Sequence, residues 1–220
     1  MVSGVLDATL INSKDAILDA AEMLMARVGY DKASISQICR ESKLPVGSIY
    51  HHFGSKAGLL SAVIERGVGR FFSALPQPDA GAASAEQAMR EYFGAAADAI
   101  VENLDFFTLE GDLTRFRRRD PEFARTIATV RERNEQNLTA VIAPLARELG
   151  VQNVDDLCQR LVEVTMIFTR GAVMSAGDDL PQLRLLIQDL HTMIRSAILE
   201  AARVNRERTT SRGHGRNPTV

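Results

Sequence analysis

The chain has 220 residues, 45% of them hydrophobic and 25% charged, with a formal net charge of −2. That composition fits a globular chain with a real core and excludes a disordered or fibrous one. No apolar run reaches the ~18 residues of a membrane span and the N-terminus lacks a secretion-signal pattern, so a cytoplasmic location is expected.

Charge is unevenly spread. Residues 13–75 carry eight Lys/Arg against six Asp/Glu, a net +2; residues 76–202 carry thirteen against twenty, a net −7; residues 203–220 carry five against one, a net +4. A positive N-terminal end on an acidic body favours nucleic acid at that end.

Residues 1–12 lack periodicity and read as a flexible arm. Ser13 is placed to cap a first helix, with Ile17, Ala20, Ala21, Leu24 and Val28 on one face and Gly29 as its stop. From Ser34 to Phe53 the pattern shortens. Ser34 is a good N-cap, and Gln37 three residues on completes a capping box. Ile35 and Ile38 give this helix a single apolar stripe. Lys43 and Leu44 fit a turn, and Pro45 has the fixed φ suited to opening the next helix. There, Ile49 and Phe53 share an inner face, which leaves Gly47, Ser48, Tyr50 and His51 pointing away from it. A small, hydrogen-bonding outer face on a short second helix suits a DNA major-groove reader. Gly54 ends that helix, and Ser55 caps a longer one through Leu59, Leu60, Val63 and Phe71.

These residues resemble the helix-turn-helix domain of the TetR family of transcriptional regulators. Ser34 and Ile38 match its first helix, Gly47, Tyr50, His52 and Phe53 match its G-x-x-Y-x-H-F string, and Lys56 with Leu59 or Leu60 matches the start of the following helix. Cys39, Ser42, Lys43 and Pro45 depart from the usual Ala, Ala-Gly and Ser. The resemblance implies an all-α fold, with an N-terminal three-helix DNA-binding domain at 13–73 (motif about 34–53). A larger helical effector-binding and dimerisation domain would follow at 85–203.

At the DNA face, Tyr50 and Lys56 are expected to contact phosphate, Lys56 from a helix N-terminus. Ser34 is a cap, a phosphate donor, or both. Gly47 lets a backbone come close, either DNA or a neighbouring helix. Ser48 and His51 are the base-edge candidates, with Lys43 and Gln37 reaching from the turn and the preceding helix. His52 turns partly inward.

Leu75–Ser84, rich in Pro, Gly and Ala, reads as a linker. Helical phase resumes at Ala85 through Met89, Tyr92, Phe93, Ala96 and Ile100. Asp105 is placed to cap a helix with a stripe of Phe106, Leu109, Leu113 and Phe116, closed by Arg117–Arg119 at its negative end. Asp120, Pro121 and Glu122 open a long helix ending near Gly150, with Pro144 expected to kink or break it near Ala140. Asn153 is placed to cap a helix with Leu157, Leu161, Val164, Phe168 and Ala172 on one stripe and Val162, Met166 and Val173 on another. Pro181 opens a last helix, and residues 204–220 read as a disordered basic tail.

The two late helices carry more apolar surface than one neighbour needs. By the family resemblance they pair with their copies in a homodimer, through Leu161, Phe168, Leu183, Leu186, Leu190 and Ile194. The middle region, in the family, encloses a small-molecule pocket. Phe93, Phe106, Phe107, Phe116, Phe123, Met166 and Phe168 are candidate lining, with Arg170 orienting a polar group. Plain core is the alternative for each apolar residue, and a satisfied ion pair or solvated edge for Arg170.

The implied partners are therefore a palindromic double-stranded operator, an effector and a second copy. No cofactor is implied. The resulting reading is a ligand-responsive repressor. The alternatives are an activator, or a helical interaction protein of the same fold without DNA binding. Catalysis is not expected: the chain has no G-x-S-x-G, paired-cysteine motif, phosphate loop or H-E-x-x-H,. No metal site is expected either, because adjacent His51 and His52 stand about 100° apart on a helix. Cys39 and Cys158 fall in apolar helical patterns, as small hydrophobes of a reducing compartment do.

Overall fold

The computed structural model describes the backbone of residues 3–77, 83–112 and 121–213, and the side chains of residues 13–77, 83–110 and 124–207. The described residues form helices α1 (Ser3–Val28), α2 (Ile35–Ser42), α3 (Val46–Phe53), α4 (Lys56–Ala74) and α5 (Ala85–Glu102), followed by α6 (Leu104–Asp112), α7 (Pro121–Glu148), α8 (Val154–Ala176) and α9 (Leu180–Gly213). They contain no strand. The fold is all-α.

The chain divides into two compact units, one of Met1–Ser73 with Glu102–Val130, the other of Ala74–Val101 with Arg131–Val220. The first unit thus takes in α6, which the sequence pattern had grouped with the second domain. Its core is built on α1, which packs against α2, α3 and α6. Ile17 and Met25 of α1, Ile38 of α2, Ile49 of α3 and Leu59 and Ile64 of α4 are fully buried. Two eight-residue helices cannot hold themselves in water, so α1 and α4 supply the surface that keeps α2 and α3 folded.

Charge fastens α1 to α4 as well. Glu22, buried on α1, accepts from Arg66 (2.8 Å) and from Arg70, both on α4. Arg66 also reaches Asp19 at 2.7 Å, and Arg70 Nε donates to Asn103 Oδ1 at 2.9 Å, just before α6. Gly67 completes the seat for α6: a Cβ there would fall inside the van der Waals envelope of the Phe106 ring. Phe106 stacks edge-on with Phe107, and Phe107 with Phe71 of α4.

In the second unit, α8 and α9 pack together. Leu157, Leu161, Val162, Ala172 and Val173 of α8 are buried, as are Leu183, Ile187, Leu190, Ile194 and Ile198 of α9. The connection after α7 is a Schellman motif, with Val151 N donating to Ala146 O, Gly150 N to Arg147 O, and Gly150 at φ 80°,.

Several boundaries differ from the sequence expectations. α1 starts at Ser3, so the backbone of 3–12 is helical rather than a loose arm, and Ser13 lies inside the helix. α9 likewise continues through residue 213 instead of ending before a disordered tail. Both extensions have one cause: adding a residue to an existing helix needs no new nucleus, and neither stretch contains proline. Arg203, bonded to Glu200 and Glu207, reinforces the second. Residues 214–220 lie outside the described residues.

Pro144 does not break α7. Buried Val141, Ile142, Ala143, Leu145 and Ala146 on both sides hold the turn helical despite the lost hydrogen bond,. α6 starts at Leu104, which puts Asp105 in its first turn instead of at the cap. Asn153 does occupy the cap of α8, but its side chain makes no cap hydrogen bond. Asp179, one residue before α9, accepts from Gln182 N (3.0 Å) and caps the helix that Pro181 opens. Leu113, Phe116, Arg117–Arg119 and Asp120 lie outside the described residues, as do the side chains of Pro121, Glu122 and Phe123.

Candidate nucleic-acid interface

The capping box at the start of α2 is complete. Gln37 N donates to Ser34 Oγ (3.2 Å), Ser34 N donates to Gln37 Oε1 (2.8 Å), and the Ser34 hydroxyl also donates to Gln37 Oε1 (2.9 Å). The hydroxyl proton of Ser34 is therefore spent inside the box, while the Gln37 amide nitrogen takes no part in it.

α2 ends at Lys43, whose φ of 59° and ψ of 25° are left-handed; its N–H bonds to Cys39 O. Among the described residues it is the one non-glycine with positive φ. The conformation costs roughly 1–2 kcal/mol for an L-residue with a Cβ. It also turns the chain sharply enough to start α3 three residues later. Pro45 sits at the N-cap of α3, one position before the first helical residue, and Ser48 N donates to its carbonyl (3.0 Å). Gly54 ends α3 at φ 70°, and Ser55 Oγ accepts from Gly58 N (2.9 Å) to cap α4.

This geometry turns α3 outward along one face. Ile49 is buried, Phe53 half-buried, and Gly47, Tyr50 and His51 are exposed, with Ser48 half-exposed. Nothing lies within 4 Å of where a Gly47 Cβ would stand. A neighbouring helix within the chain thus gives no reason for that glycine. His52 turns inward, its Nε2 3.3 Å from Ser13 Oγ, and its ring packs edge-on to His51. Lys32, Arg40 and Lys43 are exposed on the turns and on α2; α3 itself carries no Lys, Arg, Asp or Glu.

Lys56 has a second occupation. Its Nζ donates to Tyr30 O at 2.5 Å, approaches Asp31 O at 3.4 Å, and lies 4.4 Å from the Tyr30 ring centroid. Partial burial lowers its pKa, and the Asp31 carboxylate opposes that shift. Spacing does not reveal Tyr30 and Asp31 as partners of Lys56, since 26 residues separate Tyr30 from Lys56. Val46 was also missed, although its i, i+4 spacing from Tyr50 carried the signal. The two are exposed by 51% and 52%.

The described pocket candidates divide between the two units, and Phe116 and the Phe123 side chain lie outside the described residues. Phe106 is buried and Phe107 half-buried in the first unit, filling space against α4. Phe93 is buried in the second unit, its ring centroid 5.6 Å from that of His191, while Met166, Phe168 and Arg170 are half-buried on α8. A cleft of about 340 Å³ does open between α7 and α8, lined by Arg131, Glu135, Thr139, Asp155, Cys158, Gln159, Val162 and Glu163. It contains none of the expected aromatic residues. The described residues hold no group of three or more His, Cys, Asp or Glu arranged for a metal ion.

The residues expected at a dimer contact are partly covered within the single chain. Leu161, Leu183, Leu190 and Ile194 are buried within the single chain, and Phe168 and Leu186 are half-buried. Their stripe is the one that joins α8 to α9. Val164, Ile167 and Met174 on α8 and Leu180, Leu185 and Met193 on α9 are instead the large apolar side chains turned to solvent. The sequence pattern merged two faces that the packing separates. No helix among the described residues is long and apolar enough to cross a membrane.

Comparison with known proteins agrees with this geometry. The family model described as "Bacterial regulatory proteins, tetR family" matches residues 17–63, the stretch from α1 into α4. The HTH-type transcriptional regulator UidR of Escherichia coli (strain K12) is 36% identical over 63 residues. That match covers 27% of this chain and only about a third, 32%, of UidR. The HTH-type transcriptional regulator Mb3439c of Mycobacterium bovis is 31% identical over 137 residues, covering 62% of this chain and 68% of that protein. Among solved structures, the transcriptional regulator FadR from Bacillus subtilis, in complex with stearoyl-CoA, superposes with a TM-score of 0.67 at 16% identity, over 83% of this chain and 97% of FadR. At that identity it speaks for the fold alone. The helix order of the described residues, the capped helix-turn-helix and the match to Mb3439c converge: this chain belongs to the TetR family of bacterial transcriptional regulators, which are DNA-binding proteins and not enzymes.

Proposed function

We propose that the protein is a repressor that binds a palindromic operator as a homodimer and releases it when a small molecule occupies the second unit. The observation that carries this reading is the outward face of α3. Among the described residues it presents Gly47, Tyr50 and His51 to solvent, with Ser48 partly open, beside the exposed Lys43. One eight-residue helix reaches few base pairs, so useful specificity requires two copies on half-sites about 34–36 Å apart. The exposed Val164, Ile167, Met174, Leu185 and Met193 supply a surface for the second copy,.

Tyr50 and Lys56 take phosphate, Ser48 and His51 take base edges, and Lys43 and Gln37 reach in from α2 and its turn. Ser34 serves first as the cap. The second unit takes the effector beside α8, near Met166, Phe168 and Arg170; FadR, of the same fold, holds an acyl-CoA. Release follows if the effector binds the DNA-competent state less tightly than the alternative one.

Selection of genomic fragments by the purified protein tests the reading. The expected product is a two-fold symmetric motif with half-site centres one helical turn apart. Fragments without a shared motif would refute it. Transcription from the recovered promoters should rise when the gene is deleted, and a fall would make the protein an activator.

A further inference from the structure

Paired hydrogen bonds from Arg or Lys read guanine, and those from Asn or Gln read adenine. α3, Val46–Phe53, contains none of these four residue types. Its solvent face offers instead the two γ-methyls of Val46, the bare backbone of Gly47, the Tyr50 ring, the His51 imidazole and part of the Ser48 hydroxyl. Val46 is the aliphatic member of that face, 51% exposed at the first helical position.

The described contacts that start α3 do not use the Val46 side chain. The start of α3 is already held by Ser48 N on the Pro45 carbonyl, and the core position of the helix is Ile49. Exposed Pro45 on one side and Gly47, with open space where a Cβ would stand, on the other make a low apolar corner around it. It lies one helical turn before Tyr50 on the same face. In the major groove the distinctive apolar group is the thymine C5-methyl.

We propose that Val46 is a specificity-determining residue that packs its methyl groups on a thymine C5-methyl in each half-site. This rests on the reading of α3 as the groove-entering helix. It assigns to an apolar contact the discrimination that hydrogen-bonding side chains supply elsewhere.

The test uses the full-length protein and the duplex it enriches from a random library. Each thymine is replaced singly by deoxyuridine, which removes only the methyl group and keeps the base pair. One thymine per half-site should weaken wild-type binding about fourfold, as expected for a buried methyl, and replacing both should weaken it about sixteenfold. Val46→Ala should bind the thymine duplex as weakly as wild type binds the deoxyuridine duplex, and should lose nothing further when those methyls are removed. Circular dichroism and melting should match wild type, because the side chain is exposed. If no thymine is sensitive, or if Val46→Ala keeps the wild-type sensitivity at every thymine, the assignment is wrong while DNA binding stands. If no sequence is enriched at all, the groove-reading role of α3 falls and the assignment with it.

Discussion

The Lys56 ammonium sits 2.5 Å from the Tyr30 carbonyl oxygen and 4.4 Å from the centroid of the Tyr30 ring. The side chain expected to serve DNA therefore also ties the start of α4 to the turn between α1 and α2. Lys56→Ala should lose roughly 1–2 kcal/mol of stability in a urea titration without DNA, from a charge-assisted hydrogen bond and a cation–π contact. If Lys56 also meets phosphate, the same variant should flatten the slope of log affinity against log salt by about 0.9. A stability loss with an unchanged slope would make Lys56 a strut only.

Lys43 occupies a left-handed conformation that glycine adopts freely,. Lys43→Gly should therefore stabilise the fold by up to about 1 kcal/mol, the left-handed penalty being partly offset by the extra freedom of glycine when unfolded. DNA affinity should fall at the same time, most clearly at low salt, because an exposed cation beside the reading helix is lost. Chemical denaturation and a salt titration of binding read the two effects separately.

Two apolar faces of the second unit should respond in opposite ways. Ile167→Glu, at a position 64% exposed, should convert dimer to monomer in sedimentation while leaving helicity intact. Leu183→Ala, at a fully buried position, should cost about 2–5 kcal/mol of stability. Reversal of those two outcomes would return the dimer contact to the stripe that the sequence pattern first suggested.

His191 on α9 has a buried Nε2 with no hydrogen-bond partner. Burial, then the neighbouring Arg90 and Arg195, push its pKa below the ordinary 6.5, with Glu86 opposing. In this case the unfolded chain binds the proton more readily than the folded one. The stability that neutral His191 permits is present above pH 6.5 and is lost as the pH falls through the lowered folded value,. Denaturation midpoints from pH 7.5 to 5 should drop more for wild type than for His191→Leu, and equal drops would remove His191 as the cause.

The helices were legible in the sequence because apolar spacing, caps and glycine stops are local signals. Ser34 with Gln37 and Gly54 with Ser55 fixed the motif without tertiary information. What escaped was non-local. Neither the Lys56–Tyr30 contact nor the split between the inner stripe through Leu183 and the outer pair Leu185 and Met193 follows from spacing alone. Pro144 shows the reverse error: a strong local rule gave way to burial on both sides. Val46 was overlooked because an apolar residue beside a turn passes for core until its exposure is seen.

The seating of α6 on Gly67, with Asn103 held by Arg70, limits how the protein can be taken apart. The unit that reads DNA is encoded in two separate stretches, 1–73 and 102–130. Exchange of N-terminal segments between relatives at residue 73 would leave one helix of that unit with the other parent. The first unit of this chain is therefore not a cassette that ends at residue 73. A functional hybrid would have to carry α6 across with the head, or restore its fit at Gly67 and Arg70 by compensating changes.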